Sequence, residues 1–588
     1  MTQLSIADHD YPRPQLVREA WLSLNGVWNF ASERTASWRG PSEVQWGNRI
    51  MVPFAPETPA SGVYDTDFHA VCWYQRTFDA PALESGARLI LHFGAVDYAA
   101  TVWVNGTIVT RHTGGYTPFS ADITEHLVPA GPQSVIVRAE DDPHDLAKPR
   151  GKQDWQRESH SIWYPRTSGI WQTVWLEPIA AHSIRRLKWL PNLHRWEIGM
   201  EAIIMGPQRD DLRLQVTLHV GGKLLADDTY AVIGNDVTRR IALSDPGIDD
   251  YRNELLWSPQ HPTLIDAELR LLDGQGNLID HVRSYTALRS VMVQGDRFLL
   301  NGRPFCLRMV LDQGYWPASG LTAPDDAALK RDVELAKAMG FNGVRKHQQI
   351  ADPRYLTWAD RLGLLVWGEM PSAYRFTQQS VERVIHEWLG VIERDLSHPC
   401  IVAWVPFNES WGVPDLPNIE AQRDYVRALY HLTKTIDPDR PVVGNDGWES
   451  IATDIIAIHD YDADLERIER RYASPEAIPH LFKDALPAGR LVSLAADRQD
   501  QPIMLTEFGG LTLSKAPGAW GYAHVGSSEE FAERYTSLLA VVRSFSLFAG
   551  FCYTQFSDTY QETNGLLYAD RTPKFPLEQI RAATSDVS

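Results

Sequence analysis

Two glutamates in the second half of the chain each close an apolar run. Glu409 follows Ile401-Val402-Ala403-Trp404-Val405-Pro406-Phe407-Asn408, and Glu507 follows Pro502-Ile503-Met504-Leu505-Thr506. A pair of carboxyl groups is what cleavage at an anomeric carbon requires: one protonates the leaving oxygen, the other attacks the carbon or activates water. Their environments must then hold the two pKa values apart, so that one group stays protonated near neutral pH. Carboxyls roughly 5–5.5 Å apart give retention of configuration, and roughly 6.5–9.5 Å gives inversion. Asn408, next to Glu409, offers an amide to a sugar hydroxyl. The Asn-Glu dipeptide alone means little, since Asn253-Glu254 repeats it in a β-rich stretch. Placement at a strand end separates the two. The bland alternative is a pair of rim carboxylates bridged to Arg or Lys.

What must position such a pair is a framework with its strand ends gathered at one face. After about residue 291 the pattern alternates strand and helix. Phe305 to Leu311 and Phe341 to Lys346 read as strands, and Asp325 to Met339 between them has helical periodicity ending at Gly340. Further apolar strands are expected at Leu364–Trp367, Ile401–Phe407, Pro441–Gly444, Ile455–Ile458, Ile503–Thr506 and Gly550–Phe556. Eight units in about 300 residues fit a (β/α)8 TIM barrel over 291–588, whose catalytic groups sit at the C-terminal strand ends. The glutamates would then close the fourth and seventh strands. A doubly wound sheet is the alternative, but no Gly-rich phosphate loop follows the first strand. The charged 464–500 stretch reads as an insertion.

The N-terminal half predicts two antiparallel β-sandwiches. Residues 1–178 carry short alternating strands, with Asn105-Gly106 as a hairpin turn between Thr101–Val104 and Thr107–Val109. Residues 179–290 repeat the rhythm over a length suited to an immunoglobulin-like sandwich.

The composition is that of a folded multidomain chain of 588 residues, 44% hydrophobic and 22% charged. Its 21 Trp suit sugar stacking as well as sandwich cores. A formal charge of −19 argues against nucleic acid and anionic membrane as partners. No signal-peptide pattern or long apolar span is visible, so a cytoplasmic protein is expected. The four cysteines form no CxxC pair and read as reduced thiols.

Ser397-His398-Pro399-Cys400-Ile401-Val402-Ala403-Trp404 leading into Asn408-Glu409-Ser410, then Pro502 to Gly510, resembles the acid/base and nucleophile segments of family 2 glycoside hydrolases, which include β-galactosidases, β-glucuronidases and β-mannosidases. Gly114 to Phe119 and Ser168 to Leu176 look like that family's jelly-roll sugar-binding sandwich, so the likeness covers nearly the whole chain. It implies Glu409 as acid/base, Glu507 as nucleophile, net retention, a carbohydrate substrate and a homo-oligomer as one assembly state. No cofactor is expected; some relatives carry Mg²⁺, but no ligand spacing near Glu369 compels a metal.

The likeness also marks substrate-binding candidates. Arg345 would brace the nucleophile, and a purely structural buried Arg is its alternative. His347 stands one place before the position the family's His usually takes. Glu369 and His459 would line the pocket, and Tyr461 would donate to Glu507. Asp312 and Gln555 would bind hydroxyls, and Trp520 with Tyr522 would form a stacking wall. Residues His144 to Glu158 would reach over the barrel mouth. Where β-glucuronidase-like members have Asn-x-Lys, this chain has Glu562-Thr563-Asn564, and Thr554 stands where Trp is common. The missing lysine points to a neutral, β-galactosidase-like substrate, with a furanoside, mannoside or uronide, or a carbohydrate-binding barrel without activity, as the alternatives.

Overall fold

The structure is a computed structural model describing residues 11–243, 254–484, 486–494, 500–514, 516 and 518–585. Asn253 of the repeated Asn-Glu lies outside them.

The N-terminal strands pair antiparallel throughout. A four-stranded sheet (Leu22–Ser23, Val174–Ile179, Arg88–Phe93, Phe119–Asp122) and a six-stranded one (Asn48–Val52, Gly26–Glu33, Val71–Phe78, Gln133–Glu140, Ala99–Val104, Thr107–Thr113) share one apolar cluster that includes Trp28, Phe30, Tyr74, Phe93, Val137 and Leu176. Asn105 and Gly106, at φ 48° and 85°, join Ala99–Val104 to Thr107–Thr113; both centres need the left-handed region, which is why Asn-Gly stands there. Three- and four-stranded sheets between Ser183 and Thr286 share a second cluster, including Trp189, Leu214, Val216 and Leu269.

The C-terminal region alternates β1 (Leu307–Asp312), α1 (Asp326–Ala338), β2 (Gly343–Lys346), α2 (Pro353–Leu362), β3 (Leu365–Glu369), α3 (Gln378–Asp395), β4 (Ile401–Val405), α4 (Glu420–Ile436), β5 (Ile456–Asp460), α5 (Leu465–Tyr472), α6 (Ile478–Lys483), β6 (Ile503–Gly509), α7 (Ser528–Ser544), β7 (Phe548–Thr554) and α8 (Leu577–Thr584). Helix α1 starts where Asp325 accepts from the Ala328 amide, and α3 opens on a Thr377/Ser380 capping box. The strands form one curled parallel sheet in the order β4-β3-β2-β1-β7-β6-β5. Every residue of β4, β5, β6 and β7 is buried, the mark of strands covered on both faces.

The expected strand at Pro441–Gly444 is absent. That segment makes only isolated parallel bridges, Trp404 to Val442 and Asn408 to Asp446. Pro441 has no N–H to give, the Val442 amide donates to the Asp454 side chain, and the Gly444 amide donates to Thr453 Oγ1. Its Pro441 carbonyl accepts from the Trp404 amide and its Val443 amide donates to Trp404 O, so it is fastened to β4, and among the described residues no ladder joins it to β5; the sheet has its seam there. Cys72, Cys306, Cys400 and Cys552 are free thiols, three of them buried. Among the described residues no helix is long and apolar enough to cross a membrane.

Candidate active site

The turn after β4 is held in an uncommon shape. Glu409 and Ser410 both have positive φ, 50° and 57°, a left-handed conformation that costs a non-glycine residue about 1–2 kcal/mol. The segment that failed to become a strand supplies the clamp. Asp446 O accepts from the Glu409 amide at 2.9 Å, Asn445 Oδ1 from the Ser410 amide at 3.0 Å, and Glu449 from the Ser410 hydroxyl.

Glu507, in β6, faces this turn. One oxygen of Glu409, one oxygen of Glu507 and one nitrogen of His459 lie within 4.8 Å of one another. Arg345 Nη1 donates to Glu507 Oε1 at 2.9 Å, its Nε to Glu369 at 2.7 Å, and its Nη2 to Asn408 Oδ1. The Tyr461 hydroxyl donates to Glu507 Oε2 and sits 3.2 Å from Thr554 Oγ1. His459, at the end of β5, places Nδ1 2.8 Å from Glu409 Oε1 and Nε2 2.8 Å from Asp446 Oδ1.

These contacts sort the protonation states. Burial would raise the Glu507 carboxyl, but His459, Arg345, His347 and the Tyr461 hydrogen bond outweigh it and hold the group at about 2. Burial would lower His459, but Glu507, Asp446 and Glu409 lift it to about 10, so it remains an imidazolium. Glu369 is pushed up, chiefly by its complete burial and against the pull of Arg345. His347 is held well below its usual range by burial and by the charges of Lys152 and Arg345; its Nδ1 lies 3.1 Å from Glu369. Burial and Glu507 keep Tyr461 a protonated donor.

The structure thus brings together Glu409, Glu507, Arg345, His347, Glu369, Asn408, His459 and Tyr461. Two expected hydroxyl ligands are differently employed. Asp312 is buried in an ion pair with Lys346 Nζ at 2.6 Å and accepts the Gly314 amide, and Gln555 is fully buried with Nε2 donating to Asn564 Oδ1. Glu369 lines no open surface either, being fully buried beneath Arg345. Trp520 packs edge-on to Tyr522, whose ring stacks on Tyr461.

Some residues escaped the sequence reading. Asp446, the anchor of His459, also accepts from Thr506 Oγ1 at 2.6 Å. It ends the apolar run Pro441–Gly444, so the strand-end rule applied to Glu409 pointed at it too. An aromatic wall stands beside Glu409: Trp411, whose Nε1 lies 3.4 Å from Glu409 Oε2, packs on Trp163 and Tyr374, and Trp155 packs on both of these. Trp155 and Trp163 come from the N-terminal half, on and just after the expected over-reaching segment, and so has Arg150, whose amide donates to Ser372 O. Among the described residues two donor clusters have metal-ligand types, Glu409/His459/Glu507 and Asp360/His398/Cys400. Both are knit by hydrogen bonds within the protein, the second through Asp360 to His398 Nδ1 and the Cys400 amide.

A parallel barrel with paired carboxylates, a bridging imidazolium and an aromatic wall at its strand ends defines the class. A model described as glycosyl hydrolases family 2, TIM barrel domain, matches residues 291–588, and one described as the family's sugar binding domain matches residues 44–146. The chain belongs to glycosyl hydrolase family 2. It is 27% identical to a β-galactosidase of Thermoanaerobacter pseudethanolicus over 67% of this chain and 51% of that one, and thus spans about half that relative's length. It is also 27% identical to a β-glucuronidase of Paenibacillus borealis, over 74% of each. In fold it is similar to a β-glucuronidase of Bacteroides uniformis (TM-score 0.78, 21% identity, 97% of this chain and 70% of that one) and to a β-galacturonidase of Eisenbergiella tayi bound to galacturonate (TM-score 0.73, 19% identity, 98% of both). The expected preference for a neutral sugar gains no support from these relatives over a uronide.

Proposed function

We propose that the chain is a retaining exo-glycosidase that works by double displacement. The approach of Glu409 and Glu507 oxygens to within 4.8 Å of each other carries this reading, because an inverting pair must leave room for a water between them. Glu507, held ionised, attacks the anomeric carbon. Glu409 Oε2, the oxygen His459 does not engage, delivers the proton to the leaving group. Forming the glycosyl-enzyme removes the charge on Glu507, so His459 loses its largest electrostatic partner and turns more strongly to Glu409. In the second step Glu409 draws a proton from the attacking water.

The three-part division at 178 and 290, into a jelly-roll-like sandwich, an immunoglobulin-like sandwich and the barrel, is part of the same reading; the two shared apolar clusters support it. The missing barrel lysine speaks for a neutral sugar, and the names of several relatives speak for a uronide. Hydrolysis of an aryl-glycoside panel, with the first-formed anomer followed by NMR, tests the mechanism. No turnover, or an inverted first product, overturns it.

A further inference from the structure

Lys152 stands in the 150–153 turn of the N-terminal half, and that turn is locked to the barrel. The Arg150 and Gly151 amides donate to Ser372 O at 3.0 and 3.1 Å, and the Tyr374 hydroxyl donates to Gly151 O at 2.7 Å. Gly151 has φ 56°, and a Cβ there would meet Gln348 O at 2.3 Å, so the backbone lies directly against the residue after His347. On the other side, Gln153 is fixed by Asp97, Tyr116 and the Thr167 amide. A side chain leaving this turn has little freedom to choose its direction.

The Lys152 side chain is 6% exposed, and its ammonium takes no hydrogen bond or ion pair among the described residues. Its carbonyl accepts from the Tyr164 amide, and the Tyr164 hydroxyl donates to Glu562. Glu562, whose charge Lys152 favours, spends one oxygen on Tyr164 and the other on Asn564. Lys152 is also the foremost cation acting on His347, which adjoins Glu507. A buried ammonium with unused donors, on a turn whose backbone meets the residue after His347 and accepts from the amide of Tyr164, the partner of Glu562, is placed to receive an anionic ligand.

We infer that Lys152, presented from the N-terminal half, is the cation that selects a carboxylate-bearing sugar, doing from another part of the chain what a barrel lysine would do at Asn564. This rests on the glycosidase reading and sharpens its substrate class to uronides. A charge-assisted contact of this kind is lost entirely with a neutral sugar.

The test compares wild type, Lys152→Met and Lys152→Arg on p-nitrophenyl β-glucuronide, β-galacturonide, β-glucoside and β-galactoside. Wild type should cleave a uronide best. Lys152→Met should lose about a hundredfold in kcat/KM on it, mainly through KM, with less than threefold change on neutral glycosides, and Lys152→Arg should retain most of the uronide activity. Cleavage of neutral glycosides alone, or an equal fall on both classes in Lys152→Met, overturns the assignment and leaves the glycosidase reading standing. If wild type cleaves no aryl glycoside, the glycosidase reading fails, and calorimetry with sodium glucuronate and sodium galacturonate still decides: binding by wild type that Lys152→Met abolishes supports the cation's role, and no binding overturns it.

Discussion

His459 Nδ1 lies 2.8 Å from Glu409 Oε1, and the imidazolium is at the same time anchored 2.8 Å away on Asp446. His459 therefore sets the position of a carboxyl on the turn after β4, across the seam from its own strand. His459→Asn should lower kcat by about 10- to 100-fold with a smaller change in KM. Its folded pKa of about 10 stands above the ordinary value of about 6.5, so its contribution to stability is complete below about pH 6.5 and disappears as pH rises through 10. The Tm of the wild type should fall over that interval, and His459→Asn should flatten the fall. A variant with the same slope as wild type would count against a charged His459.

Glu507→Ala should abolish turnover by at least about a thousandfold and be rescued in part by azide, giving a glycosyl azide of inverted configuration. Glu409→Ala should keep its best activity on substrates with good leaving groups, with azide giving the retained product. Loss in both variants without rescue would contradict the assigned roles.

Glu507→Gln also tests the acid side. The folded Glu507 carboxyl titrates at about 2, below the unfolded value of about 4.3. Its stabilisation is present above the unfolded value and lost as pH falls through 2. Urea midpoints should show the variant less stable than wild type near neutrality, with the gap closing on acidification.

Tyr461→Phe removes the hydroxyl donated to Glu507. A fall of about tenfold or more in kcat on activated aryl glycosides is expected, with far-UV circular dichroism unchanged. Unaltered kcat would reduce Tyr461 to a packing residue for Tyr522.

The sequence was most readable where one rule sufficed. Buried parallel strands are continuous apolar runs, so Glu409 announced itself beyond β4 and Glu507 in the last part of β6, and Asp325 and Gly340 marked the limits of α1. A polar residue's partner was less readable. Asp312 and Gln555 end strands as a sugar ligand would, but Lys346 and Asn564 take them up, and one-dimensional pattern does not tell a mouth-facing group from one turned to its neighbour. Asp446 was missed because Pro441–Gly444 was read for its apolar character, although Pro441 and side-chain hydrogen bonds keep it out of the ladder. Trp155 and Trp163 join the Trp411–Tyr374 wall beside Glu409 only through docking of the N-terminal half, which no local spacing encodes.

The seam between β4 and β5 bears on how the molecule fails. Elsewhere the barrel wall is sewn by backbone hydrogen bonds strand to strand; here the 441–446 segment is bonded through its backbone to β4 and its turn, but it and Glu409 meet β5 through the side-chain charges of His459, Glu409 and Asp446, and those same side chains perform the chemistry. The weakest stitch and the working parts coincide. On warming, local opening should start at this join, so catalytic rate should decline several degrees before the global melt, and hydrogen exchange should rise first around residues 441–460.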